Sequence, residues 1–427
     1  MLTIIFITML ALLLLGFPMM IPLLTAALMT LFFIVGSTNV NLLIGQMISG
    51  VQPWSLAAVP LFILAADIMT KGHTADRLLD LVQSFVGHLR GGLPITTAAS
   101  CTLFGAVSGS TQATVVAMGG PMRPKLLEKG YKDSFTLALI INASDIALLI
   151  PPSIGMIIYG VVSGASIGHL FIAGIVPGLM ILGMISVYCY VASRIMGITP
   201  EPRVGWKMRF MAFRKALLPL GFPVVVVGGI YGGFFSPTEA AAIAVLYALL
   251  LEIVILRAVK IRDLWSIALS TGLITAVVFI LVAAGNGFTW TISAAGIPQA
   301  LLGPVLQVIG DNPHMVLGLI AVTFFVGCMF VDPIVVILIL TPLFAPAVSV
   351  AGLDPIHVGI IVTLQAAIGS ATPPFGCDIF TAMAVFRRPY FDTIRGTPPF
   401  IFILLTATVI LILFPQISLW LPSLGAQ

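Results

Sequence analysis

The sequence predicts an all-α polytopic membrane protein made of two inverted-topology repeats, each with a re-entrant helical hairpin and a broken transmembrane helix. Three observations predict it. Of 427 residues, 59% are hydrophobic and 8% charged, where an ordinary globular domain carries about 25% charged residues. Residues 1–66 hold no Asp, Glu, Lys or Arg. Glycine and proline landmarks recur at one fixed offset between the two halves. Lipid admits only helices and closed barrels as spanning structures. Barrel strands alternate apolar and polar residues, and the apolar runs here are continuous, so helices follow.

The positive charges order the elements. All 19 Lys and Arg fall within 71–90, 123–132, 194–215, 257–262 and 387–395. Cytoplasmic loops attract Lys and Arg, so all five intervals are placed on that side. The first 35 residues read as two short helices broken at Gly16-Phe17-Pro18. They lack the basic start and cleavage site of a signal peptide and read as a retained membrane segment. An amphipathic arm follows at 66–90, carrying Asp67, Asp76 and Asp80. Crossings are expected at 133–163, 170–193, 216–234, 238–256, 264–284, 356–386 and 398–422, lengths that suit about 20 apolar residues per span. Residues 92–122 and 313–345 are apolar but end on the side where they began, and Gly105, Gly109, Pro121, Gly327, Pro333 and Pro342 interrupt them. Both read as re-entrant hairpins.

The halves share a pattern. Gly105 pairs with Gly327, Pro124 with Pro346, Gly130 with Gly352, and Pro151-Pro152 with Pro373-Pro374, always 222 positions apart. The charge rule puts the first hairpin's ends inside and the second's outside. Residues 1–200 therefore form a first repeat, 201–215 a basic cytoplasmic linker and 216–427 a second, inverted repeat. Inverted repeats with discontinuous helices build many secondary transporters, whose sites lie near the bilayer midplane.

Four irregular elements should meet there. They are the hairpin tips Ser108-Gly109-Ser110-Thr111 and Gly327 to Pro333, and the helix breaks Asn142-Ala143-Ser144-Asp145 with Pro151-Pro152 and Gly369-Ser370-Ala371-Thr372-Pro373-Pro374. Proline removes a backbone donor and disfavours helix before it. The freed carbonyls and the hydroxyls are hard oxygen ligands for a small cation, and helix N-termini face an anion favourably. The pattern thus suits a cation-coupled anion carrier. Asn142, Ser144, Thr111, Ser370 and Thr372 are the candidate substrate contacts. Acids inside a membrane usually face a cavity or a partner. Asp332 reads either as a cation ligand or as hairpin-tip geometry. Asp145 and Asp378 have no acidic mate at the 222 offset. Glu239, after Ser236-Pro237-Thr238, reads as a helix cap.

Other classes are excluded. Cys101, Cys189, Cys328 and Cys377 show no CxxC spacing, against a disulfide framework or zinc site. His73, His88, His169, His314 and His357 are isolated, which argues against an enzyme. No GxxxxGK[ST] phosphate loop occurs, so the drive is an ion gradient or another subunit. The net charge of +4 reflects membrane orientation rather than nucleic-acid binding.

The segments SGSTQATVVAMGGPMRPKLLEKGY, IPPSIGMIIYGVVSGASIGHLFIAGIVPG, YGGFFSPTEAAAIAVLYAL and ATPPFGCDIF, in that order, resemble the large membrane subunit of tripartite ATP-independent periplasmic (TRAP) transporters. The resemblance implies a sodium-coupled, elevator-type importer of organic acids in a bacterial inner membrane. It implies two partners besides membrane lipid: a small four-helix membrane subunit, here expected as a separate chain, and a periplasmic substrate-binding protein. Matched residue by residue, it points to Ser108, Gly109, Ser110 and Ser144 near Pro151 for one Na+ site, and to Gly327, Gly369 and Thr372 for another, with Asp332 beside it. Sialic acid is the expected substrate, with a C4-dicarboxylate as the alternative. A standalone sodium–carboxylate symporter is the rival reading.

Overall fold

The N-terminal break falls where the sequence puts it. In a computed structural model describing residues 2–310 and 312–424, α1 (Leu2–Leu14) and α2 (Met20–Thr30) are separated by a turn in which Gly16 has φ 80°. A wider-wound turn, Leu31–Val35, extends α2 to Gly36. Next come α3 (Val40–Val51), α4 (Ala58–Lys71) and α5 (Thr74–Val86). The first hairpin is α6 (Gly92–Ser108) with α7 (Thr111–Glu128). The first broken helix is α8 (Asp133–Ser144), a tight turn at Asp145–Leu148, and α9 (Ile154–Ser163). Then follow α10 (Ile167–Ile195), α11 (Trp206–Tyr231), α12 (Pro237–Leu249), α13 (Asp263–Ala294) and α14 (Ile297–Ile309). The second hairpin is α15 (Pro313–Phe330) with α16 (Pro333–Val350), and the second broken helix is α17 (Pro355–Ser370) with α18 (Cys377–Phe386). The short α19 (Tyr390–Ile394), α20 (Pro398–Leu413) and α21 (Gln416–Ser423) complete the fold. Among the described residues, seven helices are long and apolar enough to cross a membrane, or eight if the bent pair α20 and α21 is one span.

The starts of α6, α7, α8 and α9 and those of α15, α16, α17 and α18 differ by 222 to within one residue. The sequence offset therefore corresponds to two sets of four helices of similar length. The middle of the molecule is formed by α8 and α17, buried on every face over Phe135–Ser144 and His357–Ser370. A helix apolar all round belongs in the interior. Outer helices leave Leu217, Val224, Leu269, Leu273 and Val277 exposed, as a lipid-facing surface requires.

Several sequence expectations need correction. Two-thirds of the basic linker 201–215 is helix, because α11 begins at Trp206. Arg209 is 5% exposed, with its guanidinium 5.2 Å from the Trp206 ring and 5.7 Å from the Phe85 ring. Aromatic faces attract a guanidinium, so the charge docks α11 on α5 instead of remaining in solvent. The arm expected at 66–90 starts as a separate helix only at Thr74, since residues 66–71 complete α4. Asp67 there accepts a 2.8 Å hydrogen bond from Thr271 of α13. Helices α3 and α4 lie in a stretch where no crossing was assigned, because charges delimit crossings and 1–66 has none. The crossing expected at 264–284 continues to Ala294. The span expected at 398–422 bends by 62° between α20 and α21, where Pro415 cannot donate a backbone hydrogen bond.

Glu252, fully buried, caps the arm helix from another element. Its carboxylate accepts from the Thr74 hydroxyl at 2.5 Å and from the His73 N–H at 3.1 Å. Glu239 forms the expected capping box with Ser236.

Candidate functional site

Each hairpin tip is defined by local backbone chemistry. At the first, α6 ends on Gly109, whose φ of 60° is the left-handed region where glycine avoids a Cβ clash. Ser110 then caps α7, its Oγ accepting from the Ala113 N–H at 3.4 Å. Ser108 Oγ lies 2.9 Å from Thr114 Oγ1. At the second tip, Asp332 caps α16, accepting from the Ile334 N–H at 2.9 Å. The hairpin-tip alternative for Asp332 is therefore present in the geometry.

The tips pack against the breaks. A Cβ on Gly109 would lie 2.3 Å from the Pro152 carbonyl oxygen, and one on Gly369 would lie 2.3 Å from Cys328 Cβ. No side chain fits either gap, so both glycines permit close approach. The Phe375 N–H donates to Met329 O at 3.1 Å, joining the second break to the second hairpin. Gly327 faces Val336 across the second hairpin, where a Cβ would meet it at 3.0 Å. Both tips, and residues that flank each break, border one cavity of about 80 Å³, whose lining includes Gly109, Thr111, Asp332, Gly155, Ala366 and Cys377. That volume lies well below the ~300–1,000 Å³ of ordinary ligand pockets.

The hydroxyls are not all free. Thr111 Oγ1 donates to Asp378 at 2.8 Å, and Ser370 Oγ lies 2.7 Å from the other Asp378 oxygen. Asp378 thus ties the first tip to the second break. Thr372 Oγ1 donates back to Ile368 O at 2.6 Å, and Ser144 Oγ donates to Ile140 O at 2.8 Å; each keeps lone pairs for a cation. Asn142 donates to Ala138 O at 2.8 Å, while its Oδ1 has no partner. Of the sequence-predicted site residues, Ser108, Asn142, Ser144, Pro151, Gly327, Gly369, Ser370 and Thr372 are not in the lining of the cavity. Sequence reasoning missed the central position of Asp378, because it sought a mate 222 residues away. Its acidic neighbour in space is Asp145, whose two carboxylate oxygens are buried without a hydrogen-bond partner.

Among the described residues, no group of three or more His, Cys, Asp or Glu is placed to hold a metal ion. At the other end of the same helices, Asp133 of α8 receives Arg123 of α7 at 2.8 Å and Arg388, just after α18, at 2.9 Å.

Comparison with known proteins agrees with this architecture. Residues 6–417 match the family described as tripartite ATP-independent periplasmic transporter, DctM component. The ectoine TRAP transporter large permease protein TeaC of Halomonas elongata is 64% identical over 427 residues, covering 99% of each chain. The ectoine/5-hydroxyectoine counterpart UehC of Ruegeria pomeroyi is 60% identical over 99% of this chain and 98% of that one. The sialic acid counterpart SiaM of Vibrio cholerae is 33% identical over 97% of each. In fold, the chain resembles the YdaH transporter of Alcanivorax borkumensis, with a TM-score of 0.61 at 15% identity over 89% of this chain and 87% of that one. With an all-helical membrane fold and a family match running almost end to end, the chain belongs to the DctM component family of TRAP transporters, as a multi-pass inner-membrane permease subunit and not an enzyme.

Proposed function

We propose that this chain is the permease subunit of a sodium-driven importer of ectoine and related small zwitterions. The observation that carries the substrate is the 64% and 60% identity to two ectoine permeases, against 33% to a sialic acid permease. The sialic acid expected from the sequence has no comparable support, and neither does a C4-dicarboxylate. Chemistry favours the same reading. Ectoine joins an amidinium to a carboxylate. The inter-tip cavity is lined by Asp332, with Asp378 directly behind Thr111, and no Lys or Arg lines it. An acidic surround without basic side chains suits a solute carrying a positive charge.

In this reading, sodium ions order the tips and breaks. Ser108, Gly109, Ser110 and Ser144 near Pro151 provide oxygens for one ion. Gly327, Gly369, Thr372 and Asp332 provide them for the other. Thr111 and Ser370 face the substrate, with Asn142 behind them. The two four-helix sets form inverted repeats that shift as one body across the membrane. The small cavity represents a state in which the tips are closed on each other. A small four-helix subunit and a periplasmic binding protein complete the system.

The test is uptake of labelled ectoine into proteoliposomes holding this chain and its small subunit, with and without an inward sodium gradient and a cognate binding protein. Uptake that needs all three components supports the reading. Sialic acid or succinate uptake under the same conditions, without ectoine uptake, overturns the substrate. Sodium-driven uptake without a binding protein overturns the tripartite mechanism.

A further inference from the structure

We propose that the groove between α19 and α20 binds an anionic phospholipid of the cytoplasmic leaflet, its phosphate on Arg395 and one acyl chain laid over Pro373 of the second break. The groove has a volume of about 640 Å³, and its walls include Pro373, Phe391, Ile394, Phe402 and Leu405, with Arg395 its one charged residue. Phe391 and Phe402 are 78% and 72% exposed. Exposed apolar surface of this kind marks contact with another molecule or with the membrane. Around a membrane-spanning chain the nearest apolar molecule is lipid.

The fold puts a positive charge where a headgroup must lie. Arg387, Arg388 and Arg395 precede α20, which places its start on the cytoplasmic side. Arg395 is exposed and forms no ion pair among the described residues, Asp392 included. Gly396 packs on the Ser134 backbone with no room for a Cβ, so Arg395 stands beside the joint in which Asp133 already holds both Arg123 and Arg388. That joint has one positive charge in excess. A guanidinium presents planar, paired donors that match a phosphate, and basic pockets between helices on this side recognise lipid headgroups. The other end of the groove is fixed by the break. Because α18 is only ten residues long, α19 lies against the break, where the Tyr390 hydroxyl donates to Pro374 O at 2.9 Å. A chain in the groove therefore rests on the break that carries Gly369 and Thr372. A free phosphate ion would use Arg395 and leave the apolar walls bare, so the occupant is the lipid.

Photolabelling tests this, independently of substrate and transport. The probe is phosphatidylglycerol with a diazirine on one acyl chain, added to the full chain in detergent, alone and with its small subunit. Carbene insertion into residues 391–405 is expected in both samples. Unlabelled phosphatidylglycerol should compete at a concentration roughly fivefold lower than phosphatidylcholine does, the worth of one basic residue at an anionic lipid. Arg395→Gln should abolish that difference and Arg395→Lys should keep it. Arg262→Gln, which alters another cytoplasmic charge, should leave it unchanged. Glycerophosphoglycerol, a headgroup without chains, should not compete. Label outside the groove, equal competition by the two lipids, an Arg395→Gln variant with wild-type preference, or competition by glycerophosphoglycerol overturns the proposal. Label that disappears when the small subunit is bound gives the groove to that subunit and also overturns it. Should a variant fail to fold, the label position and the two-lipid competition in wild type decide alone.

Discussion

Thr111, in the first turn of α7, donates a 2.8 Å hydrogen bond to Asp378, in the first turn of α18, across 267 residues of chain. This contact joins the tip of the first hairpin to the second broken helix. A hydrogen bond to a charged group is worth about 1.5–3 kcal/mol. Thr111→Val keeps the shape and loses the bond, so a lower melting temperature in detergent and weaker sodium-driven uptake are expected. Thr111→Ser should restore most of both. Equal behaviour of the valine and serine variants in both measurements would show that the hydroxyl is idle.

Gly109→Ala is expected to separate the tip from the break. The position has φ 60° and a Cβ there would lie 2.3 Å from Pro152 O. The left-handed conformation alone costs a non-glycine residue about 1–2 kcal/mol, and the clash adds to it. Apparent sodium affinity in the uptake assay should fall by about tenfold or more, equivalent to roughly 1.4 kcal/mol. Unchanged sodium dependence would remove Gly109 from the ion site.

Glu252→Ala should loosen the arm. The substitution leaves the Thr74 hydroxyl and the His73 N–H without their acceptor, at about 1–3 kcal/mol for buried unsatisfied groups. Faster tryptic cleavage at Lys71 or Arg77 is the readout. Glu252→Gln, which still accepts, should be cleaved more slowly than the alanine variant.

Asp133→Asn should weaken the joint at the opposite end of the same helices. Asp133 holds both Arg123 and Arg388, and partly exposed ion pairs contribute about 0.2–1 kcal/mol each. A small drop in melting temperature that disappears at high salt is expected. A drop of the same size at all salt concentrations would assign the effect to packing instead.

The element order was legible because it rests on local chemistry. Continuous apolar runs give helices, Gly16-Phe17-Pro18 gives a break, and Ser236 with Glu239 gives a cap. The helix pair α6 and α7 was legible from charge, since 92–122 starts and ends beside basic clusters, and the pair α15 and α16 from its Gly and Pro interruptions. The charge rule could not see α3, the start of α4 or α14, because no basic residue lies before Lys71 or between Arg262 and Arg387. It also misplaced Arg209, since a positive charge reads as solvated until aromatic rings are known to flank it.

The candidate site divides in the same way. Tips and breaks follow from Gly, Pro, Ser and Thr in short windows, and their convergence followed from the 222-residue spacing. The contact of Thr111 with Asp378 did not, because it breaks that spacing: Asp378 lies 267 positions from Thr111. The sequence by itself determined the membrane class, the hairpins and the broken helices, because burial in lipid and proline chemistry act on neighbours in the chain. The tertiary structure alone decided which hydroxyl meets which carboxylate, because those contacts depend on how α7, α8, α17 and α18 pack, and no local rule encodes the packing of helices more than two hundred residues apart.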